Sequence, residues 1–316
     1  VRVAATQSCD AACTRALIDS LLAAMIAHDP ARAPLAPDVR YTENAQPLAI
    51  GDGLWRTLTG RGSYVLYLAA QGAGDPAFFG SIVETDIPGQ LSLRVRQQAG
   101  RITEIEALVV RQEIPMLGKL IGTGTLMAPP QLADLNAEQF RRPVPELLAP
   151  IPEGARTAAP KLAELARSFA PALYGEALDL PLAERCTARE NGVAAVDTAR
   201  SVPLPGTQPP FHPFRLGCRR LIDSGFYAGV GKLREQRVLA VDPAQGLVLL
   251  ALTIDHPGNI QMLQLEQAGL VPVPEAFRLP NSYLRAVLVK VLDGRIRHVE
   301  ILTRPVFYGL DDGWGG

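Results

Sequence analysis

The stretch PLAPDVRYTEN at residues 34–44 returns as PLAERCTAREN at residues 181–191. Pro34-Leu35-Ala36 and, seven residues on, Glu43-Asn44 find counterparts in Pro181-Leu182-Ala183 and Glu190-Asn191. Further along, Gly100-Arg101-Ile102 with Glu106 is matched by Gly294-Arg295-Ile296 with Glu300. The first block repeats at an offset of 147 residues and the last at 194, so the second copy carries about 47 extra residues in its middle. Two copies of one unit, one enlarged, divide the chain into a first domain at 9–113, a linker at 114–156 and a second domain at 157–316.

The length of 316 residues suits two cores of ordinary size. Hydrophobic residues make up 47 % and charged residues 20 %, and no apolar run approaches the roughly 20 residues that cross a bilayer. With 31 basic and 32 acidic residues interspersed, the net charge of −1 leaves no electrostatic footprint for phosphate backbones or anionic lipid. Neither nucleic acid nor a membrane is an expected partner.

Leu17, Ile18, Leu21, Leu22, Met25 and Ile26 recur at three and four residues, which predicts an amphipathic helix from Cys13 to His28. Pro34 and Pro37 break it, and an extended stretch from Val39 leads to the turn Gly51-Asp52-Gly53, with Trp55 behind it. Tyr64–Ala69, Ser81–Thr85, Leu91–Gln97 and Ile102–Val110 read as an antiparallel meander. In the second unit Leu162–Tyr174 is the helix, and strands flank Asp242-Pro243-Ala244-Gln245-Gly246 and Asp293-Gly294, the latter a strong hairpin signal. The segment from Gln112 to Arg156, rich in Pro and carrying Gly122-Thr123-Gly124-Thr125, reads as a linker along the surface.

Four cysteines partition as Cys9 and Cys13 in the first unit and Cys186 and Cys218 in the second, which suggests one disulfide in each. Free thiols or a metal site are the alternatives, although Cys-x3-Cys without a nearby His is a poor zinc pattern. A Cys186–Cys218 bridge stabilises by roughly 3–4 kcal/mol in the chain-entropy model and persists only where the compartment is oxidising. The chain begins at Val1, without an initiator Met, which fits either a processed, exported protein or a trimmed chain. A secreted or periplasmic location is the expectation.

Helices followed by a curved antiparallel sheet make an α+β arrangement in which the sheet wraps the helices and leaves a hollow. The helix, the Pro-broken entry, Thr42-Glu43-Asn44, Gly53-Leu54-Trp55 and the closing Gly-Arg-Ile strand resemble the nuclear transport factor 2-like, or SnoaL-like, superfamily. Cys186-Thr187-Ala188-Arg189-Glu190-Asn191-Gly192 and the ending from Phe307-Tyr308-Gly309 to Trp314 resemble the partner half of its tandem secreted members. The resemblance implies two cone-shaped domains, each with N-terminal helices on a curved sheet. It does not choose a function, because that superfamily holds isomerases, cyclases, dehydratases, lyases and plain binding modules.

Glu43-Asn44 and Glu190-Asn191 fall where each cone would open. A carboxylate in an apolar cavity suits general acid-base work, and an adjacent Asn can orient a substrate oxygen. Equally, a repeated Glu-Asn can be a duplicated structural device that bonds backbone groups. His256, which ends an apolar strand, is placed at the rim of the hollow as a proton-transfer candidate. His212 lies in the inserted segment that a disulfide would pin as a lid, and His298, flanked by charges, is expected to face solvent. Tyr308 is the candidate oxyanion donor, with Asn191. Tyr41, Trp55 and Trp314 complete the candidate substrate-binding set with Glu43, Asn44, Asn191 and His212. Asp311 and Asp312 match no full calcium ligand set, and no nucleotide loop, serine elbow or His-Glu-x-x-His is present. Neither a metal nor a cofactor is expected. The leading expectation is a lyase, dehydratase or isomerase that moves a proton with Glu190 or His256 on a small apolar or aromatic molecule, acting as a monomer or homodimer. The rival is a non-catalytic ligand- or partner-binding protein.

Overall fold

The computed structural model describes residues 9–69, 74–111, 142–176, 179–199, 201, 203–204, 206–274 and 277–314. The first unit runs α1 (Ala11–Ile26), β1 (Leu35–Glu43), β2 (Gln46–Pro47), α2 (Leu54–Thr57), β3 (Leu58–Leu68), β4 (Ala77–Glu84), β5 (Ile87–Gln98) and β6 (Arg101–Arg111). After α3 (Pro145–Leu148) the second runs α4 (Ala159–Arg167), α5 (Phe169–Leu173), β7 (Leu182–Glu190), β8 (Val193–Ala194), α6 (Cys218–Asp223), α7 (Phe226–Val230) and β9 (Lys232–Asp242). It continues through β10 (Leu247–His256), β11 (Met262–Leu265), β12 (Gly269–Pro272), β13 (Asn281–Leu292) and β14 (Arg295–Val306).

The sequence repeat coincides with a repeat of topology. One six-stranded sheet has the order β2-β1-β6-β5-β4-β3 and the other β8-β7-β14-β13-β10-β9. In each, a four-stranded antiparallel meander is closed by a parallel pairing, β1 with β6 and β7 with β14. The repeated sequence blocks meet each other there. Leu35 pairs with Ile102 and Leu182 with Ile296, while the Ile102 and Ile296 amides donate to the Pro34 and Pro181 carbonyls at 2.8 and 2.7 Å. The turns that precede these strands need two residues at positive φ, supplied by Ala99-Gly100 and Asp293-Gly294.

Asp10 caps α1 by accepting from the Cys13 amide, and Leu17, Ile18, Leu21, Leu22 and Met25 share one buried cluster with Trp55, Phe78, Leu91, Leu93 and Ile105. In the second unit Leu162, Ala166 and Phe169 share a cluster with Val248, Leu250, Val287 and Val289. Contrary to the expectation that all helices come first, α2 lies between β2 and β3, and α6 and α7 lie in the enlargement between β8 and β9. The enlargement comes in two pieces. The offset between equivalent inner positions is 147 at Asn44/Asn191, 172 at Glu84/His256 and 194 at Leu91/Arg285, so one insertion carries α6 and α7 and the other the β11–β12 hairpin.

Alternation along the strands gives each sheet a second face, and these faces pack together. Tyr64, Leu66, Phe79, Leu239, Leu249, Ala286, Leu288 and Leu302 form one cluster built from both units. The repeated acids exchange partners across it. Glu106 of the first unit receives Arg237 of the second at 2.5 Å, while Glu300 of the second interacts with Tyr64 of the first. Burial first, and the Glu300 charge next, hold the Tyr64 phenol well above its ordinary pKa.

The linker is not wholly a surface strip. Its part at 112–141, including Gly122-Thr123-Gly124-Thr125, lies outside the described residues, but Leu147 of α3 is fully buried in the shared cluster and Ile151 is 4 % exposed. Lys290 holds this segment by donating to the Ala149 and Gln245 carbonyls, and burial lowers its ammonium pKa to about 8 against the pull of Asp242.

Candidate functional site

Asn44 and Asn191 perform the same backbone task. Each sits at positive φ, 50° and 48°, where Asn is better tolerated than most residues. Their amides donate to Ala107 and Ile301, and their Oδ1 atoms each accept from a strand amide, Val109 and Thr303, at 2.8 Å. Asn191 Nδ2 also donates to the Thr303 carbonyl at 3.2 Å. Both polar atoms of the Asn191 side chain are thus engaged by the backbone of one residue, which gives Asn191 a structural role at this strand crossing.

The adjacent acids take different partners. Glu43 accepts from the Leu54 amide and the Tyr41 hydroxyl, both at 2.9 Å, and from Arg111 at 2.6 Å. Gly53 makes room for this, because a Cβ there would collide with the Glu43 carboxylate. Arg111 also bonds Glu84 at 2.8 Å, and Glu84 accepts from Thr57 at 2.5 Å. Burial, with the Glu43 charge and hydrogen bond behind it, raises the Tyr41 pKa far above its ordinary value. Trp55 is 1 % exposed in the core of this unit, its carbonyl 2.8 Å from His28 Nδ1. Glu43, Tyr41 and Trp55 therefore build the wall of the first unit.

Glu190 instead meets Arg285 at 3.1 Å and the Thr303 hydroxyl at 2.6 Å. Arg285, 5 % exposed, also donates to the Tyr174 hydroxyl at 2.9 Å, and the rings of Tyr227 and Tyr283 stand 5.9 and 5.7 Å from its guanidinium carbon. Burial alone lowers the Arg285 pKa, but the Tyr174, Glu190, Tyr227 and Tyr283 oxygens more than offset it and leave it raised. Tyr174 is pushed up to about 12 by burial, against the pull of Arg285. Neither repeated acid stands alone in an apolar cavity; each is tied to an arginine.

His256 is not at a rim. It is 1 % exposed on the same inner face as Arg285, its Nδ1 2.6 Å from the Val230 carbonyl and its ring 4.6 Å from Tyr283 and 5.2 Å from Phe277. The insertions account for the difference, since Val230 at the end of α7 and Phe277 lie against the imidazole at the end of β10. Burial first, and the Arg285 charge second, lower the His256 pKa to about 4.

His298 is likewise buried, at 1 % exposure, and not solvent-facing. Its charged sequence neighbours conceal its place opposite the first unit, where Nδ1 lies 2.7 Å from Thr187 Oγ1 and Nε2 2.9 Å from Glu300. His212 lies in the first insertion with its Nδ1 2.8 Å from the Ser201 carbonyl. Tyr308 is 51 % exposed and Phe307 87 %, so neither enters the interior. Trp314 crosses to the first unit, where its ring stacks on Arg40 and Arg94 at 4.1 and 4.6 Å and its indole N–H donates to Thr42 at 2.9 Å.

The structure thus brings Glu190 and His256 onto one inner face and leaves Tyr308, Trp314 and the first-unit set elsewhere. Sequence reasoning missed Arg285, Tyr174, Tyr227 and Tyr283. The period-two alternation Tyr283, Arg285, Val287, Val289 carries the signal for Arg285. A cleft of about 40 Å³ lies between the two sheets beside Ser92, Glu106, Arg237 and Thr253.

A family model described as a domain of unknown function (DUF8021) matches residues 155–303. That span holds the whole Glu190, His256 and Arg285 constellation. No curated protein matches the chain.

Both expected disulfides are formed, Cys9–Cys13 and Cys186–Cys218, the latter tying β7 to α6. Two such bonds fit an extracytoplasmic protein. Among the described residues no helix is long and apolar enough to cross a membrane. Glu235, Asp311 and Asp312 each place a carboxylate oxygen within 4.8 Å of the others, with Arg237 bonding Asp312.

Proposed function

We propose that the chain is a secreted or periplasmic tandem protein of the nuclear transport factor 2-like type, whose second unit binds a small aromatic or largely apolar organic molecule. On this reading each sheet curls around its helices as a cone, the first cone is a closed support, and the hollow of the second is the binding site. The observation that carries it is the contrast between Leu91 in the first interior and Arg285 at the equivalent position in the second. A guanidinium buried among tyrosines with one carboxylate partner is costly to maintain unless something uses it. Pockets that combine aromatic walls with a few converging polar groups are the usual form of a small-molecule site.

A thermal-shift screen of the full chain with aromatic and terpenoid compounds tests the reading. A ligand at about 100 times its Kd adds about 2.7 kcal/mol of stability to the wild type. If the same ligand stabilises the double variant Arg285→Leu, Glu190→Gln equally, it binds elsewhere and the assignment of the second interior fails.

A second reading, proton-transfer chemistry of the lyase or isomerase kind, is favoured by Glu190, a carboxylate held in that tyrosine-rich interior. On it, Glu190 removes the substrate proton and the buried tyrosines or Arg285 receive the developing oxyanion, in place of Tyr308 and Asn191. Full turnover of a bound compound by Glu190→Gln removes this reading and leaves binding.

A further inference from the structure

The buried imidazole of His256 has one nitrogen that the fold does not use. Its Nδ1 lies 2.6 Å from the Val230 carbonyl oxygen. A carbonyl can only accept, so Nδ1 carries the hydrogen, and in the neutral ring Nε2 is a bare lone pair. The lowered pKa of about 4 keeps the ring neutral at ordinary pH. Yet Nε2 is buried without a hydrogen-bond partner. Leaving a buried acceptor unanswered costs about 1–3 kcal/mol, which a fold retains for a reason.

Across the strand pair from His256 stands Asn281. Its Nδ2 donates to the Leu279 carbonyl at 2.9 Å, which fixes the orientation of the amide, and its Oδ1 is also buried and unpartnered. Two neighbouring acceptors, with no donor from the protein, call for a ligand that brings an O–H or N–H. The walls choose its body. The His256 ring lies against Tyr283 and Phe277, Phe277 meets Phe226 edge-on at 6.0 Å, and Phe226 meets Tyr227 at 5.4 Å. Gly231 makes room for the imidazole itself, since a Cβ there would fall 2.8 Å from its Cε1.

We propose that His256 forms the polar end of a subsite for a hydroxyaromatic ligand, whose phenolic O–H donates to its Nε2 while the ring joins the wall of Tyr283 and Phe277, and Asn281 Oδ1 stays open to a second donor hydroxyl. The first unit cannot offer this subsite, because Glu84 takes the place of His256 and is bonded to Arg111 and Thr57. The inference rests on the reading that the second interior holds a small aromatic molecule, and it adds the hydroxyl requirement.

Phenol and its methyl ether, anisole, separate the two claims when titrated into the full chain by calorimetry, alongside nitrogen-15 spectra of the histidine rings. Phenol is expected to bind about tenfold more tightly than anisole, as one net hydrogen bond predicts, and to shift the Nε2 resonance of His256. In His256→Phe the preference disappears. Equal binding of the two probes to the wild type overturns the hydroxyl subsite and leaves the aromatic interior standing, whereas binding of neither overturns both. Binding of phenol without movement of the Nε2 resonance assigns that atom to water and likewise overturns the subsite. The wild-type comparison and the spectra decide even if His256→Phe does not fold.

Discussion

The two interiors share a frame and differ in what they enclose. Asn44 and Asn191 make the same strand contacts, and Glu43 and Glu190 follow them in the same register beside β6 and β14. Around that frame three inner positions have changed: Leu91 stands where the second copy has Arg285, Glu84 where it has His256, and Arg111 where it has Pro305. In the first copy the charge sits at the end of a strand, where Arg111 is 39 % exposed. In the second it lies mid-sheet, 5 % exposed, beside Tyr227 of α7, a helix that the first copy lacks. The difference teaches that a repeated motif identifies the frame and that unrepeated residues identify the chemistry.

The largest effect is expected from making the second interior resemble the first. Arg285→Leu alone strands Glu190 beside tyrosines and destabilises the protein by about 3–5 kcal/mol, as removal of one member of a buried pair does. The double variant Arg285→Leu, Glu190→Gln removes the stranded charge and is expected to recover at least half of that loss in urea denaturation. Leu91→Ala, at the equivalent place in the first unit, leaves only a cavity and costs about 2–5 kcal/mol that no change at Glu43 restores. Equal behaviour of the single and double variants would show that Arg285 and Glu190 are not coupled.

The His256 position should make the second interior sensitive to pH. The unfolded chain protonates His256 near pH 6.5, whereas the folded chain does so only near 4. Between these values the unfolded state binds more protons, so stability rises with pH through the window and is lost as pH falls from about 6.5 to 4. The loss is on the order of 3 kcal/mol if the ring stays buried. Urea titrations at pH 7, 5.5 and 4 measure it. His256→Phe should flatten that part of the profile, and an unchanged slope would mean that the ring is hydrated in solution.

The frame was legible and the occupants were not, for physical reasons visible at particular residues. The pairs Asn44/Asn191 and Gly100/Gly294 satisfy backbone rules that any copy of the unit must obey, so they persist as recognisable sequence. The disulfides, the meander and the Asp293-Gly294 turn are local or near-local and read well for the same reason. His298 was misplaced because charged neighbours predict exposure only if the opposite face of a strand meets water, and here it meets the other sheet. His256 was misplaced because its cover comes from Val230 of α7 and from Phe277, joined to β10 only in three dimensions. Tyr174, Tyr227 and Arg285 come from α5's end, α7 and β13, and no spacing in the chain links them.

The smallest expected effect is the sharpest test of the shared frame. Asn44 and Asn191 both hold positive φ and both accept a buried strand amide, so replacing either by Ala adds backbone strain to a lost hydrogen bond and should cost about 2 kcal/mol. Gly relieves the strain without restoring the acceptor, so Asn44→Gly and Asn191→Gly should each be milder than Ala. If both residues are structural, the Ala and Gly costs keep the same order in the two copies, and ligand binding by Asn191→Gly matches the wild type once the protein is folded. A selective loss of binding in Asn191→Gly at unchanged stability would instead make Asn191 a ligand contact, and the symmetry of the two Glu-Asn pairs would then be one of sequence and not of role.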